Sequence, residues 1–241
     1  MHANNETGVL QPIAQIAEAL RGAGQKIYFH CDGVQAVGKV PVDVEALSVD
    51  LYSVSAHKIS APKGIGGLYV RKGTPLRGIQ FGGRHERERR AGTENVPGAI
   101  AFARAVELCD RNSITHFVNL RDQFESEMLA LGEIEINGGA APRLPNTSNL
   151  LFRGVSGEGL LIALDMKGMA VSTGSACSSG SVEPSPVLLA MGRSRDEARS
   201  SVRFSFGRDN SRAEVQALID AVRECVTRLR KTSRVERPVY A

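Results

Sequence analysis

The chain has 241 residues, of which 42% are hydrophobic, so it can bury a substantial core as one large or two smaller domains. The formal net charge is only +4, and the charged stretch 84–90 mixes both signs, which argues against a nucleic-acid-binding protein. No apolar run reaches membrane-spanning length and the residues after Met1 do not resemble a signal peptide, so we expect a cytoplasmic protein without a membrane partner. The chain has four cysteines, Cys31, Cys109, Cys177 and Cys225. They lack the paired spacing of a zinc site or a disulfide framework, which indicates a reducing compartment.

The first part of the chain alternates short apolar runs with amphipathic stretches, the pattern of an α/β domain. The predicted elements are a helix over 12–23, strands over 26–30, 50–55 and 67–70, and a helix over 97–109. Strand, helix and strand in succession favour parallel pairing, and such sheets gather ligands where their strands end. Asp32 and Lys58 are predicted to lie at that edge.

A polar break at 110–113 precedes a second region, so we predict two domains, 1–112 and 113–241. The predicted elements of the second are helices over 114–131 and 157–166, strands over 147–152 and 201–206, and a closing helix over 211–230. Ser211 is the expected N-cap of that last helix.

The segment Ser55-Ala56-His57-Lys58 follows an apolar run that ends at Val54. A lysine delivered to a sheet edge beside a hydroxyl and an imidazole suits a Schiff-base lysine with anion-binding neighbours. An extended backbone would place Ser55 and His57 on one face and Lys58 on the other. The alternatives are an ordinary solvated lysine in a loop and a capped or packed imidazole.

The apolar approach to Asp32 is followed, three residues later, by Gln35. A buried carboxylate needs a cationic partner, and the pyridinium nitrogen of pyridoxal phosphate is one such partner. Gln35 could donate to the phenolic oxygen of the same ring. The alternative for Asp32 is a turn residue or helix N-cap before Gly33.

Two further residues stand out by their surroundings. Cys177 lies in a run of small residues, 171–181, where no bulky side chains explain it as core packing, so we interpret it as a reactive thiol. Arg203 lies in an apolar strand, and its guanidinium suits a carboxylate bound by two parallel hydrogen bonds. The alternative is a surface arginine on an edge strand.

With these segments in view, the chain closely resembles the cysteine desulfurases, pyridoxal-phosphate enzymes that take sulfur from L-cysteine and leave L-alanine. The resemblance extends from 2–8 through 92–96 to 202–205, and the loop 175–180 is similar to the long-loop branch associated with nitrogenase and housekeeping iron–sulfur cluster assembly. It implies fold type I, with a partial large domain built on a mixed, mostly parallel sheet and a smaller α+β C-terminal domain that carries the cysteine loop. The short-loop branch, which includes selenocysteine lyases, is less similar.

The resemblance implies roles for the cofactor-binding residues. Lys58 would hold pyridoxal 5'-phosphate covalently, while Ser55 and His57 would contact its phosphate. Asp32 would keep the ring nitrogen protonated, and Gln35 would contact the phenolic oxygen. Thr93 matches a threonine that reaches the phosphate of the other subunit's cofactor, which implies a homodimer; alone, it is merely a turn residue.

The resemblance also implies roles around the substrate, L-cysteine. Asn5 matches an asparagine near the phenolic oxygen and the substrate carboxylate, although on its own it could be a turn residue. Arg203 would hold that carboxylate, and Lys58 would act as the base. Cys177 would accept the sulfur as a persulfide and is a candidate transient iron–sulfur ligand, although no resident metal is predicted. The sulfur would pass to an iron–sulfur scaffold or another acceptor protein.

The sequence departs from the family in two respects. The family's proteins are longer at the amino end, where they carry another phosphate-binding loop and a histidine that stacks on the ring, so we expect a fragment, an abbreviated homologue or one half of a split enzyme with a complementary amino-terminal fragment as partner. Arg84 follows Gly82-Gly83 where the family often has a third glycine. The alternative functions are a binding module for acceptor proteins without catalysis, a selenocysteine lyase and an aminotransferase-like enzyme; the last gives Cys177 no role.

Overall fold

The computed structural model describes residues 1–109, 111–173 and 183–235. It divides into two compact units. The first contains Met1–Ala3 and Gln11–Arg111, and the second contains Asn4–Leu10 and Asn112–Ala241. The domain assignment 1–112 and 113–241 stays a prediction, and the two units differ from it by assigning residues 4–10 to the second unit.

The first unit is built on a three-stranded sheet in the order β1-β2-β3. Its strands are β1 (His30–Asp32), β2 (Leu51–Ser55) and β3 (Gly66–Val70). Strand β1 pairs parallel with β2, as expected, whereas β3 pairs antiparallel with β2, so the sheet is mixed. Its helices are α1 (Ile13–Arg21), α2 (His85–Glu88) and α3 (Val96–Glu107).

The strand predicted over 26–30 is wrong in its position, since only His30 of that range belongs to β1. The Asp50 side chain accepts a hydrogen bond from the Phe29 N–H at 2.8 Å, so a carboxylate takes the place of a ladder partner there. Helix α1 buries Ile13 and Ala17, one turn apart, and Cys31, Val49 and Tyr52 complete the buried core of this unit.

The second unit contains an antiparallel sheet in the order β4-β5-β6. The strands are β4 (Ile134–Ile136), β5 (Thr147–Phe152) and β6 (Ser201–Ser205), and the helices are α4 (Arg111–Leu129), α5 (Gly157–Asp165), α6 (Pro186–Ala190), α7 (Arg195–Arg199) and α8 (Arg212–Val235). The central strand β5 is buried along its whole length, and Phe124 of α4 and Ile219 of α8 lie in the same core cluster as its residues. The sequence did not indicate β4, α6 or α7, which are short.

Ser211 caps α8 as predicted. Its Oγ accepts from the Glu214 N–H at 3.2 Å, and the Glu214 carboxylate accepts from the Ser211 N–H at 2.6 Å. This reciprocal pair is a capping box, which satisfies two N–H groups at the start of the helix. None of the helices within the described residues is long and apolar enough to cross a membrane.

Charged side chains also stabilise the second unit. Arg143 and Glu125 form a buried pair through two parallel hydrogen bonds of 2.7 and 2.9 Å. Near the surface, hydrogen bonds from Arg193 and then Arg153 hold the pKa of the Glu135 carboxyl below its ordinary value of 4.5. The first pair joins the segment before β5 to α4, and the Glu135 pairs join β4 to the segments around Arg153 and Arg193.

Candidate active site

Two parallel strands bring the predicted cofactor residues to one edge of the first unit's sheet. Asp32 is the last residue of β1 and pairs in register with Ser53, while Ser55 is the last residue of β2. Because both strands run in the same direction, Asp32 and the Ser55–Lys58 segment leave the sheet at the same edge. This edge is where the sequence predicted them.

The backbone after Ser55 is not extended as predicted. Residues Ala56–Ile59 form a 3-10 helix, so the alternation expected of a strand does not apply to His57 and Lys58. Ser55 and His57 nevertheless meet, with 2.8 Å between the serine Oγ and the imidazole Nδ1. His57 and Lys58 are both exposed, so the hydroxyl–imidazole pair and the primary amine are accessible to a ligand.

Asp32 is exposed within the described residues, not buried as the sequence interpretation required. Its Oδ1 accepts from the Val34 N–H at 2.9 Å, because the chain turns immediately after β1 and the carboxylate closes that turn. Gln35, half-buried in the same turn, accepts a hydrogen bond from Lys39 at 2.9 Å. The turn-residue interpretation is therefore correct for the local structure, and it leaves the carboxylate available to a cation.

The donor set at this edge fits pyridoxal phosphate. The hydroxyl–imidazole pair suits a phosphate, the exposed carboxylate suits a protonated pyridine nitrogen, and the lysine amine suits an aldehyde. All of these groups come from two adjacent strand ends. The chemistry of the side chains therefore matches the phosphate, the ring nitrogen and the aldehyde of that cofactor.

Thr93 lies in the exposed loop that precedes α3. Just before it, Arg90 donates from Nη1 to the Gly92 carbonyl at 2.9 Å, and the Asn95 side chain caps α3 by accepting from the Gly98 N–H at 3.0 Å. The loop is thus shaped by its own hydrogen bonds. The threonine hydroxyl is exposed, and its role towards a second subunit stays a prediction.

In the second unit, Arg203 lies in β6 and contacts the turn that contains Asn5. Its Nη1 donates to the Asn5 carbonyl at 2.6 Å. Strand β6 pairs with β5 on one side, and Arg203 also exchanges backbone hydrogen bonds with Ser172 on the other. Arg203 is half-buried, its strand ends the sheet order apart from this one bridge, and its role towards a carboxylate stays a prediction.

A buried polar network, which the sequence analysis missed, shapes the turn around Asn5. The Asn4 Oδ1 accepts from the N–H groups of Glu6 and Thr7 at 2.9 Å each. The Glu6 carbonyl accepts from the Asn149 amide at 3.1 Å, and its carboxylate accepts from the Ser185 hydroxyl at 2.5 Å. The succession of asparagine, glutamate and threonine in residues 4–7 was the available signal, since asparagine side chains commonly close such turns.

Cys177 lies outside the described residues. Ser172, five positions earlier, is the residue that pairs with Arg203. Cys31 and Cys225 are fully buried, and burial raises the pKa of both thiols, which makes them poor nucleophiles. Cys225 belongs to the core of the second unit, whereas Cys109 is only partly buried.

The chain is similar over most of its length to a family of known proteins. The family model for the class-V aminotransferases (Aminotransferase class-V) matches residues 1–218. The chain belongs to the class-V aminotransferase family. Members of this family and its cysteine desulfurases depend on pyridoxal phosphate, and the resemblance noted from the sequence is confirmed.

Two relatives within the class-V aminotransferases carry the name cysteine desulfurase. The chain is 45% identical over 237 residues to the "Cysteine desulfurase" of Trichormus azollae, covering 97% of this chain and 59% of the relative. It is 44% identical over 236 residues to the "Cysteine desulfurase IscS" of Methanosarcina thermophila, covering 97% and 58%. The chain therefore spans somewhat less than two thirds of the length of these relatives.

Solved structures of class-V aminotransferases have the same fold. A protein described as "NIFS-LIKE PROTEIN" matches with a TM-score of 0.84 and 35% identity, covering 94% of this chain and 60% of the other. The NifS-like protein from Rickettsia africae also gives a TM-score of 0.84, at 30% identity and the same coverage. The α/β fold of type I expected from the sequence is thereby confirmed.

Proposed function

We propose that this chain carries the catalytic part of a pyridoxal-phosphate-dependent cysteine desulfurase, which converts L-cysteine to L-alanine and transfers the sulfur to Cys177. The observation that supports it most is the convergence of Asp32, Ser55, His57 and Lys58 at the carboxyl edge of the parallel pair β1–β2. A thiol is required in addition. The run of small residues 171–181 provides one at Cys177.

Each residue at the sheet edge has a defined task in this proposal. Ser55 and His57 bind the phosphate with the pair of polar groups that already lie 2.8 Å apart. Asp32 holds a proton on the pyridine nitrogen, and Gln35 and Asn5 donate to the phenolic oxygen. The cofactor, when bound, supplies an electron sink for the carbanion that forms at the substrate's α-carbon.

The residues of this chain then direct the sulfur transfer. Arg203 binds the substrate carboxylate, and its guanidinium is already oriented by the Asn5 carbonyl. The Lys58 amine takes the α-proton. The Cys177 thiolate attacks the substrate sulfur, and the carbon–sulfur bond breaks with its electron pair staying on the β-carbon. The β-carbon takes up a proton and the α-carbon regains one from Lys58, which gives alanine beside a Cys177 persulfide.

The proposal includes partners and a compartment. The outer sulfur atom of the persulfide passes to an iron–sulfur scaffold or another acceptor protein in the cytoplasm. Thr93 of a second copy of the chain completes the cofactor site. A complementary amino-terminal polypeptide adds the remaining phosphate contacts. Exposed apolar side chains in the first unit support a covering partner, since Ile79 is 91% and Phe81 89% exposed.

A second candidate is favoured by the length comparison. A chain that spans 59% of its relatives could bind sulfur-acceptor proteins without catalysis. Bound pyridoxal phosphate distinguishes the two candidates, because only the enzyme absorbs in the visible range through its lysine-linked cofactor. A selenocysteine lyase is a third candidate, and it is distinguished by a higher kcat/KM for L-selenocysteine than for L-cysteine.

The test uses the full chain, alone and mixed with the amino-terminal polypeptide of a cysteine desulfurase, in the presence of pyridoxal phosphate. Borohydride reduction and peptide mapping should locate a pyridoxyl group on Lys58, and it should be absent in Lys58→Ala but present in Lys63→Ala, a matched exposed lysine. Cysteine should yield alanine and a persulfide on Cys177. Cys177→Ala should abolish the persulfide, whereas Cys109→Ala should not.

The absence of a pyridoxyl group at Lys58 in both the chain and the mixture would refute the enzyme proposal. Alanine release that is unchanged in Cys177→Ala would refute the sulfur-transfer step alone.

A further inference from the structure

A tyrosine ring lies directly beneath the turn that follows β1. Tyr52 in β2 is only 1% exposed, and Gly33 packs against its ring so closely that a Cβ at position 33 would lie 1.9 Å from two ring carbons. The residue before that glycine is Asp32. The ring is therefore the support on which the Asp32–Gly33 peptide rests.

The hydroxyl of Tyr52 makes a buried hydrogen bond to the imidazole of His2. The Tyr52 oxygen and the His2 Nδ1 are 2.8 Å apart, and both side chains are buried. Burial raises the pKa of Tyr52 and lowers the pKa of His2, so both groups are neutral near pH 7. The hydroxyl donates to Nδ1 in one imidazole tautomer and accepts from it in the other, and in both the hydrogen bond fixes the imidazole against the sheet.

The backbone of His2 holds Asp32 in turn. The His2 N–H donates to the Asp32 carbonyl at 2.7 Å, and the His2 carbonyl accepts from the Gln11 N–H at 2.9 Å. On the other side, the Gly33 N–H donates to the Ser53 carbonyl at 2.9 Å. The Asp32–Gly33 peptide is thus fixed by one hydrogen bond at its carbonyl, by another at its N–H and by the Tyr52 ring beneath it.

We propose that the Tyr52–His2 pair positions Asp32, by anchoring the turn that presents its carboxylate at the sheet edge. Tyr52 and His2 are positioning residues, because they act on the site through the Asp32 backbone. The consequence for the cofactor rests on the proposed function: a fixed carboxylate holds the pyridine nitrogen in one place, whereas a loose one would not.

The first experiment uses the cofactor-free chain, so it does not depend on the proposed function. Amide hydrogen exchange is compared at Gly33, at Val34 and along β3 in the wild type, in Tyr52→Phe and in the control Tyr69→Phe. Tyr69 is the cross-strand neighbour of Tyr52, and its hydroxyl likewise donates one hydrogen bond, to Glu45 at 2.8 Å. Loss of this buried hydrogen bond predicts about tenfold faster exchange at Gly33 and Val34 in Tyr52→Phe only.

Two histidine variants separate positioning from general loosening of the sheet. His2→Ala should reproduce the effect of Tyr52→Phe, and the double variant should add little to it. His2→Asn, which keeps a short acceptor, should restore exchange to within about twofold of the wild type. Equal acceleration along β3, or none at Gly33 and Val34, would overturn the inference.

The second experiment measures the dissociation constant of pyridoxal phosphate by its absorbance. Tyr52→Phe should weaken binding about tenfold, whereas Tyr69→Phe should leave it unchanged. Unchanged affinity in Tyr52→Phe would overturn the inference. If the wild type forms no pyridoxyl adduct at Lys58, the proposed function fails, and the exchange experiment still decides whether Tyr52 and His2 hold the turn.

Discussion

Removing the carboxylate of the buried Arg143–Glu125 pair should strongly destabilise the second unit. The Arg143 and Glu125 side chains are 9% and 8% exposed, and two hydrogen bonds of 2.7 and 2.9 Å join them. Glu125→Ala leaves a buried guanidinium without its anion, which costs about 3–5 kcal/mol. The segment beside Arg143 also holds residues 8–10 through backbone hydrogen bonds, so the loss extends to the turn around Asn5.

The assay is native-state hydrogen exchange in the second unit, followed at the buried Ile219 of α8. The chain contains no tryptophan, so fluorescence offers little for this purpose. A loss of about 3 kcal/mol accelerates exchange through global opening by more than about 100-fold. The control Glu224→Ala removes an exposed partner of Lys167 in the same unit and should change the exchange rate by less than about fivefold.

A double variant separates the charge from the packing. Glu125→Met combined with Arg143→Leu removes both charges and should recover most of the lost stability, because well-packed apolar side chains commonly replace a buried ion pair without loss. If Glu125→Ala costs no more than the exposed control, the reasoning about the buried pair is refuted.

Three further predictions follow from the structure. Gly33→Ala should lower the free energy of unfolding of the first unit by about 1–3 kcal/mol, because its Cβ would overlap the Tyr52 ring. Thermal unfolding followed by near-ultraviolet circular dichroism tests this. The control Gly22→Ala should have little effect, because its Cβ would make only ordinary van der Waals contacts. Glu135 has a lowered pKa in the folded chain, so its stabilising contribution is present above its ordinary value of 4.5 and is lost as the pH falls through the lower folded value. Urea midpoints of the wild type and Glu135→Gln should differ at pH 7, and the difference should shrink as the pH is lowered below 4.5. Arg203→Lys should raise the KM for L-cysteine about tenfold or more in the cofactor-loaded mixture, since an ammonium cannot form the paired hydrogen bonds of a guanidinium; an unchanged KM would place the substrate carboxylate elsewhere.

Much of the site was predictable because its residues lie at strand ends. The apolar run before Ser55 identifies β2, and the apolar approach to Asp32 indicates a strand that in the structure lies at 30–32, closer to the carboxylate. Parallel strands bring their carboxyl ends together. The 3-10 helix that carries His57 and Lys58 was not predictable, because a four-residue helix leaves no periodic pattern. The exposure of Asp32 was not predictable either, since burial depends on which chain segments cover the turn.

The tertiary contacts around the turn that contains Asn5 could not be predicted from the sequence, for a different reason. Asn149 and Ser185 meet Glu6 across 143 and 179 residues of chain, and no local pattern specifies such a partner. The same holds for Tyr52 and His2, which are 50 residues apart. Periodicity identifies an element and its buried face, but it does not identify which polar groups find each other after the elements pack.

The assignment of Asn4–Leu10 to the second unit has a practical consequence for anyone who wishes to dissect this chain. Cutting after residue 112 and expressing the carboxyl-terminal piece alone would discard a seven-residue peptide that donates and accepts hydrogen bonds within that piece. Fusing residues 4–10 back through a flexible linker, or adding them as a synthetic peptide, is the rational route to an autonomous version.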